Sequence, residues 1–336
     1  MTSAQSEHST NLAEGRSDIW LRFLMFPGLA FSLYPFFIAG AGGDGIIVRS
    51  LWVTFLSYCW FCVGGAFHEA AHETLFANRN ANRFVGMIIG SIVFIPLNAY
   101  RETHRLHHAY LNSSRDYEMW PYCDPKASLW FRRLFVVFDI VLGVASAPLI
   151  YGRIWLLRNS PLAPAVRRTI SMEYLICLVF WGTAITTLLV SFKMTGRTWA
   201  DFRIEWILPL VLSSSANSIR KLVEHLGMPS TDPILGTRTI AGGNAYSRLC
   251  RYFNFNISVH GPHHRFPRLS YAELSPKLQQ YRSQHPELQV PVFASYLAAF
   301  VNMLPSLRNP ASGDGLNGES SGPPALSNSP DDPNIW

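Results

Sequence analysis

The sequence is poor in cysteine and in charge. Its five cysteines form no regular framework, and Cys59 and Cys62 lie inside an apolar run, so we interpret them as core thiols and not as a redox pair. Charged residues make up only 15% of the chain, and the lysines and arginines stand beside apolar blocks. A nucleic-acid-binding stripe is absent from this pattern, which instead favours membrane topology signals and contacts with anionic lipids.

Both ends of the chain lack apolar segments. Residues 1–18 are polar and have no apolar core with a cleavage site, so we expect a polar N-terminal segment and no signal peptide. Residues 306–336 are rich in proline, glycine, serine, asparagine and aspartate, which predicts a disordered tail. The intervening residues 19–305 are expected to form a single membrane domain.

Long apolar blocks dominate this central region, and four of them are predicted to span a bilayer. They are residues 23–41, 51–67, 175–192 and 204–216. Two further blocks are expected to lie in the interface, because residues 84–97 are too short to span and residues 134–157 contain Asp139 and Pro148. The pattern predicts an all-α integral membrane protein with about four transmembrane helices plus interfacial helices.

Histidines are clustered at the ends of these blocks. Nine of the eleven histidines fall into clusters or beside them, and only His8 and His285 do not. The nine are His68, His72, His104, His107, His108, His225, His260, His263 and His264. Offsets of three and four residues place imidazoles on one face of a helix. Imidazoles this close must be neutral together or bind a cation, and a transition metal is the usual one.

The requirement for a single site constrains the topology. If all nine histidines share one site, an even number of membrane crossings must separate each cluster from the next. Arginines are frequent in residues 79–133 and 217–251, so we expect a cytosolic histidine-rich cap, with both termini cytoplasmic.

Two other kinds of metal protein are alternatives to this interpretation. His68-Glu69-x-x-His72 matches the zinc-binding helix motif of metalloproteases, in which the glutamate is the general base. Such a site has no use for the two further clusters at 104–108 and 260–264. A bis-histidine haem protein would carry single facing histidines and not adjacent pairs.

The clusters and their flanking residues resemble the three histidine boxes of the membrane fatty acid desaturase and hydroxylase family. His68–Phe76 looks like the first box, Tyr100–Asp116 like the second and Asn254–Pro267 like the third. Glu224-His225-Leu-Gly227 resembles the extra ligand at the end of the fourth span. The resemblance covers roughly residues 20–280 and is specific for the family, not for the substrate.

The sequence also departs from members of this family. Lys221 stands where stearoyl-CoA desaturases have an asparagine, so the chain is not a close relative of those enzymes. Pro262 lies inside the third cluster, which leaves a helical geometry for His260 in question.

The resemblance implies two non-haem iron ions held by the nine histidines at the cytosolic membrane face. Acidic or amide side chains at Glu69, Asp116, Glu224 and Asn256 are candidates to orient the imidazole N–H groups. In this family, O2 and electrons drive removal of hydrogen from an unactivated C–H bond. The sequence contains no cytochrome b5-like segment, so a separate ferredoxin- or cytochrome b5-like donor is expected.

Desaturation of a fatty acyl lipid is the first expectation that the resemblance supplies. Hydroxylation or ketolation, for example of a carotenoid, and desaturation of a small specialised metabolite are the alternatives within the same family. A lipid or other hydrophobic substrate is common to all three.

The clustering generates a first prediction. Alanine in place of any one of the nine clustered histidines should abolish turnover, because each change removes one imidazole from a shared site. His8→Ala and His285→Ala should retain wild-type product formation in membranes of the expressing cells. Full activity in two or more of the nine variants would contradict a single site.

Overall fold

The computed structural model describes Arg22, residues 45–196, Glu205 and residues 207–318. Three sequence predictions lie outside these residues: the polar segment 1–18, the first span 23–41 and the end of the tail at 319–336. The part of the chain that is described is mostly helical, as the apolar blocks predict.

Twelve α-helices, two short strands and a 3₁₀ turn follow one another within the described residues. The helices are α1 (Ile46–Ala71), α2 (Arg79–Ile92), α3 (Leu97–Ala109), α4 (Leu129–Val141), α5 (Gly143–Leu156), α6 (Pro164–Thr195), α7 (Leu208–His225), α8 (Ala245–Phe253), α9 (His260–Arg265), α10 (Leu274–Gln284), α11 (Tyr296–Met303) and α12 (Asp314–Asn317). The strands β1 (Thr239–Ile240) and β2 (Val292–Phe293) pair in parallel, and the 3₁₀ turn is Leu304–Arg308.

Two helices, α1 and α6, are long and apolar enough to cross a membrane. They contain the predicted spans 51–67 and 175–192. Only 11% of the most apolar window of α6 is buried within the protein, so most of its apolar side chains face outward, as lipid-facing residues do. The helix has a proline in its first turn and ends at Gly196, whose positive φ of 68° closes the last turn.

The two predicted interfacial blocks form bent helix pairs. The axes of α2 and α3 are bent by 101°, and those of α4 and α5 by 120°. By length and composition, each pair is either a broken span or a re-entrant segment. Gly143, where the second pair bends, lies against α7: a Cβ atom there would be only 2.5 Å from the carbonyl oxygen of Ser214. The bend therefore lets two backbones approach closely.

The charge within residues 134–157 is satisfied inside the protein. The Asp139 carboxylate is fully buried and accepts from Lys221 Nζ at 2.8 Å and from Ser146 Oγ at 2.6 Å. An ion pair of this kind offsets the cost of taking a carboxylate out of water. Asp139 therefore does not need to reach the membrane surface, although its charge was part of the reason for predicting an interfacial block.

Helix α7 packs against α1, α4, α5 and α11 and occupies the centre of the helical layer. Its C-terminal end and that of α1 both reach the histidine-rich region. Residues 226–318 cover this region with short helices and the two-stranded sheet.

The described part of the C-terminal segment differs from the predicted disordered tail. Residues 304–308 form the 3₁₀ turn, and residues 310–315 are buried. Their backbone groups hydrogen-bond to neighbouring loops. A segment with few apolar side chains is thus held by polar contacts, which composition alone does not reveal.

Candidate metal centre

Four segments deliver the nine histidines to one region. His68 and His72 lie at the C-terminal end of α1, and His225 is the last residue of α7. The second cluster occupies the last two turns of α3, and the third forms the short helix α9. Pro262 is accommodated in the first turn of α9, where its missing N–H has no intrahelical acceptor. All nine histidines are at most 9% exposed.

Five imidazoles form the first group. The nearest ligand atoms of its members all lie within 4.8 Å of one another, and the members are His68, His72, His104, His108 and His263. The Nε2 atom of His104 is 3.0 Å from that of His68 and 3.1 Å from that of His108. The three nitrogens therefore point at a common volume.

The remaining four histidines lie directly beside this group. His107, His225 and His264 are within the same 4.8 Å limit of one another, as are Glu224, His225 and His260. The Nε2 atom of His260 is 2.7 Å from that of His225 and 3.0 Å from that of His264. We call these four histidines the second group. The rings of His108 and His264, at a centroid distance of 4.2 Å, connect the two groups.

Carboxylates fix which nitrogen of several rings carries the proton. Glu118 Oε2 lies 2.7 Å from His104 Nδ1, and Glu69 Oε1 lies 3.2 Å from His68 Nδ1. An ionised carboxylate only accepts, so Nδ1 is the donor in both rings and Nε2 presents a lone pair. Two lone pairs then face each other across 3.0 Å, an arrangement that a cation between them stabilises.

The spacing also fits metal ligation. Two imidazole nitrogens that bind one cation at about 2.1 Å and at a right angle are about 3.0 Å apart, close to the separations within both groups. His263 Nε2 is buried and has no hydrogen-bond partner among the described residues. The donor set of this site therefore fits metal ions.

Burial keeps the third cluster in its metal-binding form. Burial lowers the pKa values of His260, His263 and His264 well below the ordinary value. Repulsion between protonated neighbours lowers them further, with Arg220 the main neighbour of His260 and His108 that of the other two. These imidazoles are neutral at physiological pH, and neutral imidazole is the form that binds metals.

The sequence identified most of the carboxylates that support the rings. The Asp116 carboxylate accepts from His107 Nδ1 at 2.8 Å and also from the backbone N–H groups of Asn112 and Met119. Glu224 accepts from Arg220 at 3.0 Å, and its carboxylate lies 3.6 Å from His260 Nε2.

Two supporting residues differ from the sequence prediction. Glu118 was not among the candidates, although it makes the short contact with His104; its position two residues after Asp116, in the same loop, was the available signal. Asn256 was a candidate, but its side-chain amide donates to the carbonyl oxygen of Tyr271 and not to a histidine.

The geometry of Glu69 bears on the metalloprotease alternative. One carboxylate oxygen of Glu69 faces His68 Nδ1, and the other accepts from Thr74 Oγ1 at 2.6 Å. The carboxylate is thus on the side of the His68 ring that faces away from the other imidazoles. A general base of a zinc protease must instead face the metal-bound water, so the arrangement disfavours that function.

An apolar cavity of about 120 Å³ lies between α1, α2, α5 and α7. Trp60, Phe67 and Ile150 are among its apolar lining residues. Glu118 and Arg220, which contact His104 and Glu224 respectively, also line it. The cavity therefore extends from the apolar helical layer to the side chains that support the histidines.

Comparison with known proteins gives one family match and distant relatives. The model of the family described as fatty acid desaturase matches residues 45–296. The chain is 27% identical over 92 residues to the omega-3 fatty acid desaturase fat-1 of Caenorhabditis elegans, and 28% identical over 94 residues to the chloroplastic omega-3 fatty acid desaturase of Glycine max. These alignments cover 27% and 28% of this chain, and only 23% and 20% of the relatives' own lengths.

The contact of Glu118 with His104 generates a second prediction. Glu118→Gln should lower metal affinity or turnover by roughly 10–100-fold, because a neutral amide no longer fixes the His104 tautomer. Glu102→Gln is the matched control: Glu102 is on α3, as His104 is, but pairs with Arg105 near the surface. Metal content and turnover are measured for both. Equal behaviour of the two variants would contradict the role of Glu118.

Proposed function

We propose a function from one premise: the chain belongs to the fatty acid desaturase family, whose model matches residues 45–296. The proposed function is a membrane di-iron oxidoreductase that uses O2 and external electrons to desaturate a fatty acyl lipid. The observation that carries it is the convergence of nine buried imidazoles into two adjacent groups.

The donor count favours two iron ions. The first group offers five imidazoles, whereas zinc in proteins is almost always four-coordinate. Iron accepts imidazole ligands and higher coordination numbers. One ion would be held by the first group. The other would be held by His107, His225, His260 and His264, with Glu224 beside them.

When bound, the two irons would supply the redox chemistry that removes hydrogen from an unactivated C–H bond. The protein's own contribution is positional. Glu69, Glu118 and Asp116 hold three ring N–H groups and so direct the opposite nitrogens inward. Burial of all nine rings excludes bulk water from the site.

The cavity supports an extended apolar substrate. Its walls are largely aliphatic and aromatic, and it ends at the side chains around the metal centre. The two relatives named above are described as omega-3 fatty acid desaturases, which makes an acyl chain the first choice. Electrons would come from a separate ferredoxin- or cytochrome b5-like protein.

A second candidate within the same chemistry rests on the α7 wall of this cavity. Ser213, Ser214 and Asn217 line it, and polar groups of this kind would suit a substrate that carries an oxygen along its apolar body. Hydroxylation or ketolation of such a molecule, for example a carotenoid, is therefore the alternative, as is desaturation of a small metabolite. Lipid and metabolite profiles of an expressing host against an empty-vector control distinguish these outcomes.

The single shared site also supports a particular arrangement of the helices across the membrane. The chain leaves the site at His72 and returns to it at His104, whose Nε2 is 3.0 Å from that of His68, so α2 and α3 would form a re-entrant hairpin. It leaves again at His108 and returns at His225. If α6 and the predicted span 204–216, which lies largely in α7, are the two crossings, α4 and α5 would form a second hairpin. The histidines would then lie on the cytoplasmic side.

This topology generates a third prediction. In a Cys250→Ser background, cysteines introduced at Asn159 and Ser283 should be shielded from an impermeant thiol reagent applied to intact cells. A cysteine at Thr195, at the far end of α6, should be labelled. All three positions are exposed or partly exposed on the protein. Labelling of Asn159→Cys and Ser283→Cys from opposite sides would refute the topology.

The choice between an oxidase and a hydrolase generates a fourth prediction. Protein purified gently from iron-replete cells should contain close to two irons per chain, and product formation should require both O2 and a reductant. Glu69→Gln should retain measurable turnover, with a loss of about 10–100-fold, since Glu69 orients a ligand and is not a general base. Stoichiometric zinc, with O2-independent peptide cleavage abolished by Glu69→Gln, would overturn the proposed function.

A further inference from the structure

Residues 311–315, which we call the C-terminal clasp, lie between two loops of the metal centre. All five residues are buried, although the composition of this region predicts disorder. One loop follows α3 and carries Asp116 and Glu118; the other follows α7 and begins directly after His225. The clasp is more than 70 residues from either loop in sequence, so its contacts are purely tertiary.

The clasp caps the C-terminal end of α7. Ser312 Oγ donates to the carbonyl oxygen of His225 at 2.8 Å and accepts from the backbone N–H of Gly227 at 3.2 Å. The same N–H lies 2.8 Å from the carbonyl oxygen of Ala311. The last carbonyl groups of a helix have no intrahelical donor. The His225 carbonyl oxygen also accepts from the Met228 N–H at 3.1 Å. Ser312 therefore supplies a second, shorter hydrogen bond to the backbone of a residue whose imidazole belongs to the metal centre.

The clasp also holds the loop that carries Asp116. Asp314 Oδ2 accepts from the backbone N–H of Ser114 at 2.7 Å, and the backbone N–H of Asp314 donates to the carbonyl oxygen of Asn112 at 3.1 Å. The N–H of Asn112 in turn donates to the Asp116 carboxylate, which binds His107 Nδ1. Asp314 thus helps to hold the loop whose Asp116 carboxylate orients the His107 ring.

The backbone of the clasp fits these loops closely. Gly313 has a positive φ of 46°, and a Cβ atom at this position would lie 1.9 Å from the carbonyl oxygen of Asn112. The Arg132 guanidinium donates to the carbonyl oxygen of Gly315 at 2.9 Å and fixes the far end. The clasp is therefore an integral part of the fold and not a surface segment.

The two histidines that the clasp reaches belong to the same group. His225 and His107 are both in the second group. Of the first group, only His104 is connected to the clasp through this loop, by way of Glu118, and the hydrogen bonds given above do not join the clasp to the segments carrying His68, His72 or His263. We propose that Ser312 and Asp314 are positioning residues for the second metal ion, and that the clasp sets the affinity of that ion and not of the first. The inference rests on the proposed two-metal function.

The test compares metal retention in matched variants of the full chain. Ser312→Ala and Asp314→Ala each remove one side-chain anchor. Asp314→Asn keeps the shape and an acceptor oxygen for the Ser114 N–H. Asn317→Ala is the control, because Asn317 is exposed at the edge of the same segment. Iron per chain is measured by elemental analysis before and after timed exposure to a chelator, and folding is followed by circular dichroism and size exclusion.

Wild-type protein and Asn317→Ala should keep two irons per chain, and Asp314→Asn should retain nearly as much iron. Ser312→Ala and Asp314→Ala should lose one of the two irons about 10–100-fold more readily than wild type, with the other retained as in wild type. A chain ending after residue 318 should behave as wild type, and one ending after residue 309 as the alanine variants.

Three outcomes would overturn the proposal. These are retention of both irons at the wild-type rate, loss of both irons to the same extent, and failure of the alanine variants to accumulate as folded protein. The last two would assign the clasp a general role in stability. Wild-type protein without two irons would instead refute the proposed function, so the two failures are distinguishable.

Discussion

Buried neutral imidazoles cannot direct lone pairs at one another without a cation between them, and the rest of the structure depends on this constraint. At His68, His104 and His107, carboxylates accept from Nδ1, which leaves Nε2 as the inward lone pair. The burial of these rings removes the water that would otherwise satisfy them. Folding therefore assembles a site whose inward nitrogens are unsatisfied without a metal ion, and this costs free energy. The carboxylates and loops around the site keep each ring in place despite that cost.

The same constraint explains the bent helices. Histidines from α1, α3, α7 and α9 meet at one end of the helical layer, so chain segments that leave this end must return to it. In the proposed topology, the bent pairs α2–α3 and α4–α5 would be re-entrant and would allow such returns within short lengths of chain. Their polar groups are then satisfied by the protein, as the pairing of Asp139 with Lys221 shows. The pair forms between α4 and α7, and each of its charges offsets part of the cost of burying the other.

Sequence reasoning succeeded where the information is local. The spacing of three and four residues within α3 reports helix geometry directly, and the carboxylate of Glu69 is adjacent to the histidine that it contacts. The third cluster is helical as well, although Pro262 left this in question. It failed where the partner is distant in sequence. The charge of Asp139 was interpreted without Lys221, 82 residues away, and the composition of residues 306–318 was interpreted without the loops that they bind. Asn256 was chosen for its position beside the third cluster, but the backbone turns its side chain towards Tyr271.

The first apolar cavity and the candidate metal centre share two charged side chains, which bears on how substrate specificity could arise. Glu118 contacts both the cavity and His104, and Arg220 contacts both the cavity and Glu224. Arg220 also lines a second apolar cavity of about 460 Å³ between α1, α7, α8 and α11. Tyr151, which lines the first cavity, donates from Oη to the Glu118 carboxylate at a distance of 2.9 Å. A molecule in the cavity is therefore separated from the imidazoles by a single layer of side chains. For the proposed function, its position against the polar wall of α7 would govern which C–H bond approaches the site, and with it the choice among desaturation, hydroxylation and ketolation.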